Sequence, residues 1–407
     1  GVFNLFAPVE GTCNVENLTF TGKAETASNT GKTGAVSYTG VQLQYYTSDG
    51  EKTEQASNWG NWKYVGVGSF VGSSAGTVAE FSGGYKWYIA SVNFDSVKFE
   101  NMTIQSPAVA GGLIGNSGRI ELNKGNSTPT SDIGILLQPC GGDGGQNTVY
   151  LCNTFTNCSF SNLTVRGQEK AGGFCGYIDG KVSNQNNLNV TRQKFIVGKD
   201  STISATLKDS CAGGLFGYAR RGVAINTVSG TTYTAIWENV NVEAGQYSGG
   251  IIGQVAADSS NSSIVYKIRN VRVSGKTGTK SLIKGTSNGE AYTGGLIGNI
   301  SSSGVAFDIS DCEVQNAQIN EEGKVSGEKF RTGGLVGSAT GSGKLNVQNC
   351  SVEESGMYGS LAGGIAGALH IPTTITECTV SGLSNDKNII KGQKSAAGIV
   401  GEIVCNE

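Results

Sequence analysis

The sequence predicts an all-β fold, a right-handed parallel β-helix (solenoid) of about eight to ten rungs with loop insertions. Three observations predict it. A glycine-rich string recurs along the chain, a short segment of alternating apolar and polar residues follows each copy, and almost no segment shows helical periodicity. Stacked rungs pair with one another about 4.8 Å apart, so one repeated pattern can build one continuous core.

The recurring string is clearest as TGGLIGNISSSG, which begins at Thr293. Its other copies are AGGLIGNSG from Ala110, AGGFCGYIDG from Ala171, AGGLFGYAR from Ala212, SGGIIGQVA from Ser248, TGGLVGSATG from Thr332 and AGGIAGALH from Ala362. Their second glycines stand at positions 112, 173, 214, 250, 295, 334 and 364, so the spacing drifts between 30 and 61 residues. Drifting spacing is typical of solenoids whose repeats carry loop insertions.

The second element of each repeat is a short strand with a period of two residues. Examples are FENMTIQS from Phe99, TNCSFSNLTV from Thr156, WENVNVEAG from Trp237, ISDCEVQNAQI from Ile309 and VQNCSVEES from Val347. One such unit cannot bury its own apolar face, whereas stacked copies can. Paired glycines allow a sharp bend between the strands, and because no helix follows, the pattern favours a structural corner over a phosphate-binding loop.

The GG[LIF]xG strings and their x-N-C-x-V partners resemble the GLUG repeats of large bacterial surface proteins. That family includes filamentous-haemagglutinin-like adhesins and proteins classified near IgA peptidases. The resemblance spans residues 66 to 401 and, more loosely, the first 25 residues. It implies a β-solenoid displayed outside a cell, often as an adhesive shaft. Residues 23 to 63 contain no repeat, which departs from the family pattern.

The repeat pattern divides the chain into two regions. We expect residues 1–64 to form an irregular N-terminal rung and a non-repeat loop, and residues 65–407 to form the parallel β-helix. Because the opening segment GVFNLFAPVEG reads like the middle of a repeat, we expect the chain to be part of a longer protein.

Composition narrows the classes of partner. Lys and Arg total 30 and Asp and Glu total 32, a net charge of −2, so no basic surface favours nucleic acid. No run of 18 apolar residues occurs, so we expect no membrane-spanning segment. His370 is the only histidine and no CxxC pair occurs, so we expect no metal and no cofactor.

The ten cysteines raise the question of disulfides. Aligning the second elements places four of them in one slot that also holds aliphatic residues and one methionine: Cys158, Cys312, Cys350 and Cys378 align with Leu18, Met102, Val240 and Val271. A slot that accepts these types predicts a column of buried thiols, although stacked rungs also leave a bridge open. Cys140 and Cys152 flank an insertion and are the best candidates for a local disulfide.

Nine Asn-x-Ser/Thr sites occur, and four of them fall in the second element: Asn17, Asn101, Asn157 and Asn349. They are either glycosylation sites of a secreted protein or asparagines at a repeated turn, and the sequence leaves both readings open.

Aromatic residues cluster in and beside the region without repeats. Three of the four tryptophans lie there, and the candidate ligand-contacting residues are Trp59, Trp62, Tyr64, Tyr85, Trp87 and Tyr88. Loops on a rigid scaffold often carry function, and exposed rings can stack on sugars. The alternative is that these rings seal an end rung or pack the loop, because a regular solenoid core has little use for tryptophan.

These observations predict an extracellular or cell-surface, adhesin-like scaffold that presents loops for binding glycan or a host surface protein. The alternatives are a polysaccharide lyase or glycoside hydrolase on the same fold and a structural segment of a surface filament. We expect no catalytic residues: His370 has no adjacent carboxylate in sequence, and the pairs at 321–322 and 353–354 lie in polar turns.

Overall fold

The structure is a computed structural model of the 407-residue chain. It describes residues 3–6, 11–21, 35–36, 42–47, 50–55, 62–63, 66–74, 78–81, 84–87, 90–106, 108–117, 121–122, 152–179, 196–220, 223–225, 233, 235–258, 266–287, 289–324, 329–382 and 389–404. Every regular element in these ranges is a β-strand, which confirms the predicted all-β class.

The glycine-rich strings contribute to a parallel sheet of ten strands, one from each successive repeat. In order, they are Phe3–Phe6, Val71–Ser74, Ile114–Ser117, Cys175–Asp179, Phe216–Arg220, Ile252–Asp258, Ile297–Ser303, Val336–Gly341, Ala366–Leu369 and Val400–Ile403. Equivalent residues pair directly, as Ile297 does with Val336, so insertions between repeats leave the register unchanged.

The second elements and the residues before each Gly-Gly pair form a parallel sheet of 21 strands. They are Thr19–Thr21, Ala35–Val36, Gly66–Gly68, Lys98–Gln105, Val109–Gly111, Ser159–Gly167, Lys170–Gly172, Ile196–Ala205, Cys211–Gly213, Ala235–Ala244, Tyr247–Gly249, Val271–Ser274, Ser281–Gly285, Glu290–Gly294, Glu313–Gln315, Ala317–Ile319, Lys329–Gly333, Ser351–Glu353, Gly356–Gly363, Thr379–Ser381 and Ile389–Ala397.

Two smaller parallel sheets and three antiparallel pairs complete the described strands. The five-stranded sheet contains Val223–Ile225, Tyr266–Arg269, Ala306–Ser310, Lys344–Gln348 and Thr373–Thr376, and the three-stranded sheet contains Gly11–Glu16, Ala90–Asp95 and Cys152–Thr156. The antiparallel pairs are Gln42–Thr47 with Gly50–Gln55, Trp62–Lys63 with Glu121–Leu122, and Val78–Phe81 with Gly84–Trp87. The long parallel sheets fit the predicted stacking of repeats.

The Gly-Gly corner joins the 21-stranded sheet to the ten-stranded sheet, and close backbone contacts explain its glycines. A Cβ on Gly294 would lie 2.0 Å from the Ile297 carbonyl oxygen. A Cβ on Gly295 would lie 2.1 Å from the carbonyl oxygen of Gly334, its equivalent in the next repeat. Neither glycine has a positive φ, so the corner needs the absence of a side chain rather than glycine's conformational freedom.

Asparagine and other polar residues form further corners of two kinds in the described repeats, with φ between 46° and 58°. The first corner holds Asn17, Ser96, Asn157, Asn270, Asp311, Asn349 and Glu377, and the second holds Asn101, Asn162, Asp200, Asn239, Asn316 and Glu354. Asparagine tolerates this left-handed conformation better than most residues, which explains why it recurs there. Neighbouring corners also bond to each other: the Asn349 amide donates to the Asp311 carboxylate at 2.7 Å.

These two corners correct one sequence alignment. Strand register places Cys158, Cys312, Cys350 and Cys378 after the first corner, in a column with Leu18, Val97, Ile196, Ala235 and Val271. Met102 and Val240 instead follow the second corner, so their alignment with the cysteines is wrong. The two corners share the pattern of a polar left-handed residue followed by an inward residue, and sequence alone does not distinguish them.

The core is a continuous apolar cluster along the stacked repeats. Trp237 lies fully buried within it, which corrects the expectation that the repeat core has little use for tryptophan. Glycine provides the space: a Cβ on Gly214 would lie 2.7 Å from the indole Cδ1 of Trp237. Gly198, which pairs with Trp237, likewise leaves room for the ring of Phe160, because a Cβ there would lie 2.4 Å from it.

Candidate functional site

Two columns of side chains flank the Gly-Gly corner outside the main apolar core, and we call them together the tyrosine strip. The first column precedes the corner and holds Lys170, Cys211, Tyr247, Tyr292 and Arg331 in successive repeats. The second follows the corner and holds Tyr177, Tyr218, Gln254, Asn299 and Ser338. Register brings aromatic, cationic and amide groups from five repeats into one continuous strip.

The first part of the tyrosine strip centres on Lys170. The Tyr177 and Tyr218 rings stack with centroids 5.2 Å apart and planes 2° from parallel. The Lys170 ammonium lies 5.7 Å and 5.6 Å from these two ring centroids, in range for cation–π attraction. In the next repeat the Cys211 thiol donates to Gln254 Oε1 at 3.4 Å, so first-column residues contact second-column residues one repeat further along.

The second part of the strip centres on Tyr292. The Tyr247 and Tyr292 rings stack with centroids 5.2 Å apart. The Arg331 guanidinium lies 5.0 Å from the Tyr292 ring centroid and donates to Glu290 Oε1 at 3.1 Å. The Tyr292 hydroxyl donates to the same carboxylate. These contacts hold Tyr292 in place while leaving it and Tyr247 half-buried.

Two enclosed polar groups lie beside these tyrosines. Asn299 is 6% exposed and Ser338 is fully buried, yet neither Asn299 Oδ1 nor Ser338 Oγ has a hydrogen-bond partner among the described residues. The one-repeat offset seen at Cys211 and Gln254 places Asn299 next to Tyr247 and Ser338 next to Tyr292. Buried polar atoms are rarely left without partners, so this part of the strip has spare capacity for hydrogen bonds.

Burial keeps the Cys211 thiol and the Tyr292 hydroxyl of the strip in their neutral forms. Burial raises the pKa of the Cys211 thiol to about 12 and that of the Tyr292 hydroxyl to about 12. Both cations have acidic partners, since Lys170 lies 3.7 Å from Glu169 and Arg331 bonds Glu290. The strip is therefore close to electrically balanced, which suits a neutral, hydroxyl-rich ligand better than a strongly anionic one.

Most of the site residues predicted from sequence lie outside the described residues. Trp59, Tyr64 and Tyr88 fall wholly outside them. Trp62 lies in the short strand Trp62–Lys63, and Tyr85 and Trp87 lie in Gly84–Trp87, but their side chains are outside what the structure describes. The prediction that these rings contact ligand therefore stays a prediction.

The predicted local disulfide between Cys140 and Cys152 also stays a prediction. Cys140 lies outside the described residues, and Cys152 begins the strand Cys152–Thr156 without a described side chain. The thiols that are described, at positions 158, 175, 211, 312, 350 and 378, are all free. Cys158, Cys312 and Cys350 are buried, as the sequence predicts for this column.

The structure supplies a partner that sequence analysis did not find for His370. Its Nε2 lies 3.0 Å from Glu402 Oε1, a residue of the following repeat. The neighbouring carboxylates Glu321 and Glu322 belong to separate ion pairs with lysines, Glu321 with Lys284 and Lys324, and Glu322 with Lys391. Residues 322–324 form a turn, which agrees with the expectation that this acidic pair lies in a polar turn.

The tyrosine strip itself was missed at the sequence level, although a signal existed. Tyr247 and Tyr292 each stand two residues before the first glycine of a pair, and Tyr177 and Tyr218 each directly follow the last glycine of the string. Aligning the repeats on their glycines would have placed these tyrosines in two columns. Sequence could not show that the two columns touch, because that depends on how the corner folds.

Among the described residues, no helix is long and apolar enough to span a bilayer. In the same part of the chain, no group of three or more His, Cys, Asp or Glu side chains is arranged to hold a metal ion.

Comparison with known proteins adds little to this geometry. No protein-family model matches the chain, and no curated protein matches it. Among solved structures, the chain is similar to a putative immunoglobulin A1 protease from Bacteroides ovatus, with 14% identity and a TM-score of 0.39, over 84% of this chain and 79% of that chain. A similarity of that size transfers neither a detailed fold nor an activity.

Proposed function

We propose that the stacked sheets close into a right-handed parallel β-helix that acts outside a cell as a non-enzymatic, adhesin-like scaffold and binds glycan or a host surface protein. The tyrosine strip is the observation that supports this proposal. It combines half-buried aromatic rings, two amide side chains and balanced charges along a rigid repeated backbone. Side chains with an apolar body and a polar tip are common at interfaces.

The repeat architecture supports the same proposal. Each repeat presents equivalent positions at the spacing of one strand, about 4.8 Å, so an extended ligand can contact several repeats in turn. Glycan is the favoured ligand class because sugar hydroxyls both donate and accept hydrogen bonds. They match the half-buried amide of Gln254 and the hydroxyl of the half-buried Tyr247.

A glycan array and a host-protein array probed with the purified chain test the proposal. We expect binding to one of them. Tyr247→Phe should bind at least tenfold more weakly, because the loss of a hydrogen bond worth about 1.4 kcal/mol raises the Kd tenfold. Tyr358→Phe is the matched control, since Tyr358 is another half-buried tyrosine that packs in a separate cluster. Binding to neither array would contradict the proposal.

Two further measurements distinguish the alternatives. Release of reducing sugar from a polysaccharide panel would replace the scaffold proposal with a polysaccharide lyase or glycoside hydrolase. End-to-end fibres in electron micrographs, together with no binding to either array, would indicate a filament segment.

The aromatic cluster near the N-terminus is a second proposed contact surface, made of Trp59, Trp62, Tyr64, Tyr85, Trp87 and Tyr88. Trp62→Ala tests it. If the ring contacts ligand, the variant keeps its melting temperature and loses binding. If the ring seals or packs the N-terminal region, the variant loses about 3 to 5 kcal/mol of stability, as truncation of a buried aromatic does.

A further inference from the structure

Three free cysteines follow one another in one column of the core: Cys312, Cys350 and Cys378. The strands that begin directly after them pair in register, so the three thiols lie one strand apart in successive repeats. Cys312 and Cys350 are buried, whereas Cys378 is half-buried. This run of three is unlike the rest of the column, where a single cysteine, Cys158, lies among aliphatic residues.

The three thiols point the same way because each is held by the same bond. Each donates to the carbonyl oxygen two residues earlier, across the first corner. The sulfur–oxygen distances are 3.1 Å from Cys312 to Ser310, 3.2 Å from Cys350 to Gln348 and 3.2 Å from Cys378 to Thr376. Cys350 also interacts with the thiols on both sides of it. Successive sulfurs are therefore spaced much as the strands are.

That spacing suits a cation between two sulfurs better than a disulfide. Parallel strands lie about 4.8 Å apart, and a thiolate–metal bond measures about 2.3 Å, so two such bonds in a line span about 4.6 Å. A disulfide needs sulfurs about 2.0 Å apart, so both thiols would have to leave the carbonyl oxygens of Gln348 and Thr376 and turn toward each other. Soft closed-shell cations such as Cu(I) prefer thiolate ligands, and two ligands in a line satisfy them.

We propose that Cys350 and Cys378 form a linear, two-coordinate site for a soft closed-shell cation, with Cu(I) as its probe. Two sulfur–copper bonds form and both thiol protons pass to solvent, with no change of oxidation state. The bound pair carries one negative charge, and the half-exposed Cys378 lets water screen it. The alternative pair of Cys312 and Cys350 is buried on both sides, so the same charge costs more there.

The site needs only two ligands, so it is compatible with the absence of three-ligand clusters among the described residues. Hydrogen bonding to the neighbouring thiol, Cys312 for Cys350 and Cys350 for Cys378, raises the pKa of both groups, and burial adds to the effect, so the cation must displace protons that are firmly held. Because binding releases two protons, affinity for Cu(I) should rise with pH.

The chain contains its own control. Cys158 occupies the same column and makes the same bond, to the Thr156 carbonyl oxygen at 3.3 Å, but its neighbours are Val97 and Ile196. It is a buried thiol in the same setting without a second sulfur. Valine is tolerated in this column, as Val97 and Val271 show, so valine variants should keep the fold.

The test is an anaerobic titration of the full chain with Cu(I) against a chromophoric chelator, with native mass spectrometry to count bound ions. We expect Cys350→Val and Cys378→Val each to bind one Cu(I) fewer than the unmodified chain, while Cys158→Val and Cys312→Val bind the same number. Comparing the variants removes any contribution from other cysteines.

Equal Cu(I) binding by Cys350→Val and the unmodified chain would overturn the proposal, as would an equal loss in Cys158→Val. Far-UV circular dichroism checks that each variant keeps its strands. If Cys350→Val does not fold, the half-buried Cys378→Val decides the question alone. The site is independent of glycan or protein binding, so either proposal can fail without the other.

Discussion

The chain turns at two kinds of corner, and they depend on opposite properties of their residues. At the Gly-Gly corner φ is not positive, and backbone atoms of the next repeat occupy the place of a side chain. At the asparagine corners the side chain has room, as the exposed Asn157 and Asn349 show, but φ lies in the left-handed region. The Gly-Gly corner should therefore resist a side chain inside the stack of repeats, and only copies near its ends carry one, Ser69 and Ala397 at glycine positions. The asparagine corners should accept most side chains at a moderate cost.

Gly295→Ala should break the glycine corner and have the largest effect. Its Cβ would lie 2.1 Å from the Gly334 carbonyl oxygen, and backbone atoms held by a parallel sheet cannot move aside easily. We expect a loss of about 3 kcal/mol or more in the free energy of unfolding, measured by urea denaturation. Gly289→Ala is the control, because nothing lies within 4 Å of its Cβ and its φ is ordinary. Equal stability of the two variants would refute the steric explanation.

Asn239→Ala should damage an asparagine corner less severely. The left-handed conformation costs alanine about 1 to 2 kcal/mol. The variant also loses the hydrogen bond that the Asn239 amide donates to the Asp200 carboxylate at 2.7 Å. Asn239→Gly also loses the bond to Asp200, but glycine adopts the left-handed conformation readily. It should therefore recover most of the stability that Asn239→Ala loses. Chemical denaturation of both variants separates the two contributions. If glycine is no better than alanine here, φ is not what selects asparagine.

Glu354→Asn should stabilise the protein, in contrast to the two preceding substitutions. Glu354 occupies the second corner with φ of 51°, a conformation that glutamate adopts poorly and asparagine adopts more readily. We expect this variant to gain about 1 kcal/mol of stability. A thermal melt beside the unmodified chain measures the gain, and a lower melting temperature would count against the corner model.

Cys350→Ser should leave the stability nearly unchanged. That result would show that the positions after the two asparagine corners are equivalent. After the second corner, Ser355 already donates to the Glu353 carbonyl oxygen at 2.7 Å, the same bond that Cys350 makes to Gln348. The new hydroxyl therefore has a partner, and we expect a loss below about 1 kcal/mol. Cys350→Ala leaves that carbonyl without its donor and should cost more. Urea denaturation of both variants gives the comparison.

The smallest expected effect is a pH dependence at Asp200. The Asn239 amide, with help from Lys276, holds the pKa of this carboxyl below its usual range. A lowered pKa contributes stability above the unfolded value of about 3.9, and that contribution disappears as pH falls through the folded value. The cost of Asn239→Ala should thus be greater at pH 7 than near pH 3. Stability measured at both pH values checks this, and an equal cost would exclude the carboxylate's role.

How far the sequence predicts the fold can be judged at particular residues. Recurrence of GG[LIF]xG with a strand-like partner was enough to predict strands, parallel stacking and the buried thiols at Cys158, Cys312 and Cys350. It was not enough to separate Met102 from the cysteine column, because both corners have the same local pattern. It also did not foresee Trp237 in the core, because the space for that ring comes from glycines distant in sequence.

The candidate site depended more heavily on the tertiary structure. The sequence directed attention to Trp59, Trp62 and Trp87, which stand out by composition, and passed over tyrosines spread singly through the repeats. Only strand register stacks Tyr247 on Tyr292, and only the folded corner brings Cys211 to Gln254. Column membership is a property of spacing along the chain, whereas contact between columns is a property of three-dimensional shape.

The sequence by itself determined the class of structure, because hydrophobic periodicity and glycine spacing are local and repeat along the chain. The tertiary structure alone decided which corner each repeated residue follows, which columns touch and which thiols lie side by side. The physical reason is that parallel pairing sets neighbours by register between repeats about 30 to 60 residues apart, and loop insertions hide that register from the linear sequence.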